Sequence, residues 1–150
     1  MFQKVIYKSL KVLKEELRAL QRFGFVKQAR FADDSFTAKG DRLKAVLEMM
    51  TRKNFDFSWS SYARASALTP DLVKLMKASN CDLLVMGIES GSSAILKNMD
   101  KKPAPGQALR AIKMLTNCGI DSQAAFVVGY PGETAETFQE RPSTSSTGAV

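Results

Sequence analysis

A run of six residues, Leu83-Leu84-Val85-Met86-Gly87-Ile88, most constrains what this chain can fold into. It is apolar throughout and too short for a typical helix, the length of a strand buried on both faces. Such strands belong to parallel sheets. The run breaks off in Glu89-Ser90-Gly91-Ser92. A carboxylate at the exit of a buried strand is costly unless something pairs with it. In a parallel α/β barrel that exit is where ligands bind. Gly91 permits a tight turn, and Ser92 or Ser93 suits the cap of a following helix. Taken alone, Glu89 is equally well read as a solvated loop acid.

The same arrangement recurs along the chain. Residues 5–23 carry Val5, Leu10, Leu13, Leu17 and Leu20 near one stripe, which predicts an amphipathic helix stopped by Gly24. A β-type run over 25–31 leads into Asp33-Asp34-Ser35-Phe36. A helix over 41–52, capped by Asp41, has Leu43, Val46, Leu47 and Met50 as its inner face. Residues 55–62 alternate aromatic and polar side chains, a strand pattern that exits into Arg64. Thr69-Pro70-Asp71 starts the next helix, and Asn80 suits a left-handed stop. The central strand spans 81–90. Short and longer helices follow over 93–99 and 107–117, separated by a proline-containing loop at 101–106. Residues 122–128 form the last strand, exiting into Gly129-Tyr130-Pro131-Gly132-Glu133-Thr134. Between Arg141 and Val150 the residues are Pro, Ser, Thr, Gly and Ala with little to bury, so a disordered tail or an appended remnant is expected over 141–150.

Units of about thirty residues that alternate strand and helix suit consecutive βα repeats with right-handed crossovers. Four strands predict an α/β fold, a partial barrel or open parallel sheet, with the folded domain over 1–140. A leading helix without its strand, and a chain ending where another helix begins, give the expectation of an interior piece of a larger domain. Parallel strands put their carboxyl ends on one rim. Asp33, Asp34, Arg64, Glu89 and the Gly129 turn are therefore expected to share it. Acids for an ammonium, a guanidinium for a carboxylate and a turn with free backbone groups suit a small zwitterion bearing a heterocycle.

Composition removes several alternatives. With 150 residues, 45% of them apolar and 25% charged, the chain has an ordinary globular balance. No run approaches the roughly 18 apolar residues of a membrane span. The first residues are too charged for a signal peptide, so a cytoplasmic location is the default. The net charge of +7 sits on Lys and Arg at helical spacing, which argues for solvated helix faces rather than a nucleic-acid partner. The chain has no His, excluding Ser-His-Asp and Cys-His catalysis and His-ligated metals. Its two cysteines, Cys81 and Cys118, are too few for a four-thiolate site and read as small buried hydrophobes.

Several segments together resemble the core of radical S-adenosylmethionine (radical SAM) enzymes. Asp33-Asp34-Ser35-Phe36 resembles an Asp-Asp-x-Phe segment, and Trp59 with Arg64 is similar to the family's third-strand pattern. Residues 78–92, Ala-Ser-Asn-Cys-Asp-Leu-Leu-Val-Met-Gly-Ile-Glu-Ser-Gly-Ser, resemble its "AGC…GIESGS" segment. Leu96-x-x-Met99-x-Lys101 and the Gly-x-Pro-Gly-Glu-Thr turn at 129–134 continue the likeness, which covers about residues 9–139. The branch with upstream cobalamin-binding domains, including methyltransferases and ring-forming enzymes, is the most similar. The resemblance implies a partial βα barrel that binds S-adenosylmethionine on its upper rim. Asp33 or Asp34 then stands toward the methionyl ammonium, and Glu89 with Ser90 toward the ribose or amino-acid part. Arg64 faces the carboxylate or substrate. Val127, Gly129 and Pro131 lie under the adenine, although Ala125 replaces a family glycine and Glu133 is one position late.

The family's Cys-x-x-x-Cys-x-x-Cys loop, which ligates a [4Fe–4S] cluster, is absent and would precede Met1. The resemblance therefore implies an iron–sulfur enzyme in the complete protein, with an electron donor, a small-molecule substrate and, in this branch, cobalamin. The chain alone is expected to be inactive. The alternative is a non-catalytic module that binds a nucleotide-like or amino-acid-like molecule on a βα scaffold.

Overall fold

A computed structural model describes residues 6–33, 36–37, 40–101 and 106–140. Four strands form one sheet in the order β1 (Gln28–Phe31), β2 (Ser58–Ala63), β3 (Cys81–Glu89) and β4 (Asp121–Phe126). All three pairings are parallel. Helix α1 (Leu10–Arg22) precedes β1, and α2 (Gly40–Lys53) joins β1 to β2. A 3₁₀ turn (Ala65–Ala67) and α3 (Pro70–Ala78) join β2 to β3. Then α4 (Ser93–Asn98) and α5 (Gln107–Asn117) join β3 to β4, and α6 (Ala135–Gln139) follows. This is the α/β architecture of an open partial barrel. No helix among the described residues is long and apolar enough to cross a membrane.

The sheet has two unlike faces. Trp59, Ala63, Leu84 and Met86 point into one core with Leu17 of α1, Leu47 of α2, Met76 of α3 and Leu115 of α5. Neighbouring helices touch in sequence, α1 on α2, α2 on α3 and α3 on α5, forming a single layer. Trp59 anchors this core. Its Nε1–H donates to the Ser79 carbonyl at 2.8 Å, and the stacked rings of Phe31 and Phe36 meet it edge-on. The other face carries Arg30, Tyr62, Val85 and Gln123; the Arg30 guanidinium lies 4.8 Å from the Tyr62 ring centre. At the amino end of the strands, the Asp82 carboxylate accepts from Ser58 Oγ–H at 2.5 Å and Gln28 Nε2–H at 2.7 Å.

The element bounds differ from expectation in places, for local reasons. The first helix begins at Leu10 rather than residue 5, because Ser9 caps it, its hydroxyl accepting from the Val12 N–H at 3.3 Å. Asp41 sits within the first turn of α2 instead of capping it. Residues 25–27 precede β1 because the ladder starts where Gln28 meets Ser58. Phe55 and Phe57 are buried as their alternation suggests, but lie ahead of β2, their rings stacked at 5.5 Å. Thr69 and Asn80 act as expected: Thr69 Oγ1 accepts from the Leu72 N–H, and Asn80 has φ 67°. The expected tail at 141–150 and most of the 101–106 loop lie outside the described residues.

Candidate functional site

The carboxyl ends of the four strands lie along one edge of the sheet, as the parallel pairing requires. A cleft of about 730 Å³ opens there between the β2 and β3 exits and the start of α5. Arg64, Ser90 and Lys101 line it with Gly87, Ile88 and Gln107. The Arg64 backbone N–H donates to Thr37 Oγ1 at 3.4 Å, tying the β2 exit to the segment after β1. Ser90, buried, accepts the Ser92 N–H on its hydroxyl at 3.1 Å and shapes the approach to α4. Ser92 occupies the N-cap position of α4, without a side-chain capping bond.

Glu89 is the unusual residue of this edge. The ladder between β3 and β4 shifts register between Gly87 and Glu89, so β3 carries one extra residue there. Such bulges re-aim side chains beside functional sites. Glu89 has φ 64°, a left-handed conformation that costs a non-glycine residue about 1–2 kcal/mol. The Ser90 N–H donates to the Ile88 carbonyl at 2.8 Å, closing a three-residue turn around it. The Val127 N–H donates to the Glu89 carbonyl at 2.9 Å and extends the ladder past β4. The side chain folds back over Gly87, where a Cβ would lie 2.7 Å from Glu89 Oε1. That same oxygen accepts from Lys101 Nζ at 2.6 Å.

Lys101 reaches Glu89 because α4 stops where it does. Asp100 turns left-handed at φ 55°, its N–H donates to the Lys97 carbonyl, and the Lys101 N–H donates to the Leu96 carbonyl at 2.9 Å. This is the paired closure of a Schellman turn, and it fixes the Lys101 backbone. The lysine was visible in the sequence only as part of the Leu96-x-x-Met99-x-Lys101 likeness. Gly87 read simply as one residue of an apolar run, and nothing in the one-dimensional pattern pointed to the carboxylate folded over it.

The expected site residues divide among three places. Arg64 and Ser90 line the 730 Å³ cleft, whereas Glu89 does not and meets it only through its ion pair with the lining residue Lys101. Asp33 lies instead in a second cleft of about 390 Å³ between α1, β1 and α2, beside Tyr7, Arg30, Phe36 and Arg42. Asp34 lies outside the described residues. Val127, Gly129 and Pro131 are exposed and do not line the larger cleft. Their turn is closed by Glu133, whose carboxylate accepts the Gly129 N–H at 2.6 Å, and it docks on α4 through Tyr130 Oη–H to the Asn98 carbonyl.

A family model for the radical SAM superfamily matches residues 1–141. The chain belongs to the radical SAM superfamily. Among its relatives is an uncharacterized methyltransferase of Pyrococcus horikoshii, 30% identical over 125 residues, covering 83% of this chain and 27% of that protein. The fold is similar to that of the radical S-adenosylmethionine methyltransferase TsrM from Kitasatospora setae, solved with cobalamin and a [4Fe–4S] cluster bound. That match has a TM-score of 0.78 at 18% identity and covers 87% of this chain and 27% of TsrM. The cobalamin-dependent radical enzyme OxsB gives a TM-score of 0.75 at 21% identity, over 87% of this chain and 21% of OxsB. This radical SAM chain thus spans about a quarter of the length of the relatives it matches.

The thiols of this radical SAM domain do not fit an iron–sulfur cluster. Cys81 opens β3, at the end of the sheet opposite the cleft, and is 1% exposed. Burial and the neighbouring Asp82 carboxylate push its thiol from 9.0 up to about 12, whereas a cluster ligand must be a thiolate. Among the described residues no group of three or more His, Cys, Asp or Glu is placed to hold a metal ion. The raised value also has a sign for stability. Between pH 9 and about 12 the unfolded chain has lost the Cys81 proton and the folded chain keeps it, so folding weakens as pH rises through that window. Iodoacetamide at pH 8 is accordingly expected to alkylate partly exposed Cys118 well before Cys81. Mass spectrometry of the labelled peptides checks this, and equal labelling rates would contradict the burial of β3.

Proposed function

We propose that this chain is the S-adenosylmethionine-binding part of a larger radical SAM enzyme, and that by itself it does not catalyse. The observation that carries the reading is the cleft at the carboxyl edge of the sheet, which joins the Arg64 guanidinium and the buried Ser90 hydroxyl, with the Glu89 carboxylate just behind its wall on Lys101. Arg64 would hold the ligand's carboxylate, and Glu89 with Ser90 would receive a cationic or hydroxyl-bearing part. Asp33 lines the second cleft and would reach the ammonium only from there, and Val127, Gly129 and Pro131 would flank the adenine from outside the lining of the larger cleft. In the whole protein the family's cofactors supply reductive cleavage of S-adenosylmethionine to a 5′-deoxyadenosyl radical. That activity, together with the cluster, an electron donor, a small-molecule substrate and cobalamin, belongs to the complete enzyme. In this chain the residues orient and enclose the ligand.

The test is calorimetric titration of the chain with S-adenosylmethionine, beside anaerobic iron–sulfur reconstitution with iron counting. Saturable binding that falls about tenfold or more in Arg64→Ala is expected, since a lost charge-assisted contact is worth roughly 1.5–3 kcal/mol. Binding that ignores Arg64 would contradict the site. Recovery of about four irons per chain would contradict catalytic silence.

A further inference from the structure

Barrels of parallel strands fill their inside with branched apolar side chains. The face of this sheet that turns away from the helices is composed differently. Gln28 and Arg30 of β1, Ser58, Ser60 and Tyr62 of β2 and Gln123 of β4 lie on it, beside an apolar strip of Leu83 and Val85 from β3. Hydrogen bonds across three strands close its amino end, Asp82 accepting from both Ser58 and Gln28. Its other end runs through Gly87 into the 730 Å³ cleft. Under a packed core or an apolar chain segment, Arg30 would lose its hydration with nothing to answer its charge. Such a face suits water and a small polar ligand.

Arg30 sets the chemistry of that ligand. Its guanidinium lies 4.8 Å from the centre of the Tyr62 ring. Stacking uses the flat of the guanidinium and leaves its N–H edge free. Among the described residues no acid forms an ion pair with Arg30, and no acceptor takes its guanidinium N–H groups. A planar fork with one positive charge matches a carboxylate edge to edge. A phosphate carries more charge and is met by several cations or a helix N-terminus. The residue opposite Arg30 in register is Ser60, not a second cation.

We infer that Arg30, held against Tyr62, is a carboxylate-recognition residue, and that this face of the sheet binds a small organic monocarboxylate whose apolar body lies toward Leu83 and Val85. The site is separate from the cleft at the carboxyl edge. Binding there does not depend on the proposed function; only the further step, that such a carboxylate is the class of molecule on which the complete enzyme acts, rests on it.

The experiment titrates phenylacetate into the chain and follows the Arg30 Nε–H resonance, with sodium chloride at equal ionic strength as the blank. Saturable movement is expected with phenylacetate and not with phenylacetamide, its neutral counterpart. Affinity is expected to fall about three- to tenfold in Arg30→Gln, read from the Tyr62 ring resonances, and about two- to fivefold in Tyr62→Leu, while Tyr62→Phe stays within about twofold. Equal response to the amide, or an affinity indifferent to Arg30, overturns the inference. Tighter binding of phenyl phosphate overturns the choice of carboxylate. S-adenosylmethionine added to the phenylacetate-bound chain is expected to leave the Arg30 shift in place, and competition would overturn the separate site. If S-adenosylmethionine binds nowhere, the proposed function fails while saturable binding of phenylacetate still supports this site.

Discussion

Replacing Leu84 by alanine is expected to destabilise the chain more than most single changes, by about 2–5 kcal/mol. Leu84 is fully buried on β3, which pairs with β2 on one side and β4 on the other. Its register partners are Ser61 and Ser122, both small and polar. Neither can swing into the space a lost isobutyl group leaves, so the cavity persists and the cost falls toward the upper half of that range. For a chain of this size such a loss lowers the thermal midpoint by roughly 5–15 °C. Trp59, the only tryptophan, sits unexposed in the same core, so its fluorescence reports the transition. Val128→Ala, at a position 67% exposed, serves as the comparison and is expected to stay within about 0.5 kcal/mol of the parent. If the two variants melted together, the shared core between sheet and helices would be wrong.

The residue that makes this core legible is the same run from which the fold was inferred. An apolar stretch over 83–88 predicts a strand buried on both faces. β3 is that strand, paired along both edges, but the helices cover one face only, and Leu83, Gly87 and Ile88 are not fully buried. Thr69-Pro70 and Asn80 were equally plain, because capping and left-handed stops are set within a few residues of chain. Helix α5 matched its pattern end to end. The edges were harder. Strand β1 is shorter than its apolar run because its length is set by where β2 offers partners. Phe55 and Phe57 are apolar because they fill the core ahead of the ladder, and alternation alone cannot tell that from pairing.

The site was legible in kind and less so in arrangement. That charged residues stand at strand exits follows from parallel order, and the sequence reveals it through Arg64, Glu89 and Ser90. Which exits feed one cleft depends on how helices pack over them. Asp33 turns to the side of α1 and α2 for that reason, into a second hollow. The left-handed turn at Glu89 is opposed by the residue's own preference and is imposed by the bulge and by Val127 across the ladder. The Lys101 contact depends on the stop of α4 and on Gly87 leaving room. None of these is a property of a short stretch, so each becomes visible only once the strands and helices are in place.

Glu89→Gly is expected to separate stability from binding. In the parent, the left-handed backbone at φ 64° is a standing cost that glycine would not bear. Against that relief stand the greater freedom of glycine in the unfolded chain, about 0.5–1 kcal/mol, and the loss of a partly exposed ion pair worth up to about 1 kcal/mol. The backbone bonds from Val127 and Ser90 survive, since they need no side chain. These terms nearly cancel, and the variant is expected to unfold within about 1 kcal/mol of the parent in chemical denaturation. Its affinity for S-adenosylmethionine is expected to fall about tenfold to a hundredfold, the scale of a lost charge-assisted hydrogen bond. Glu89→Gln keeps shape and backbone cost while removing charge, so it should lose binding to a similar degree without the relief. A strained residue retained at no net gain to folding is the mark of a side chain kept for its ligand. Unchanged affinity in Glu89→Gly, or a loss of stability beyond about 2 kcal/mol, would instead assign Glu89 to the scaffold.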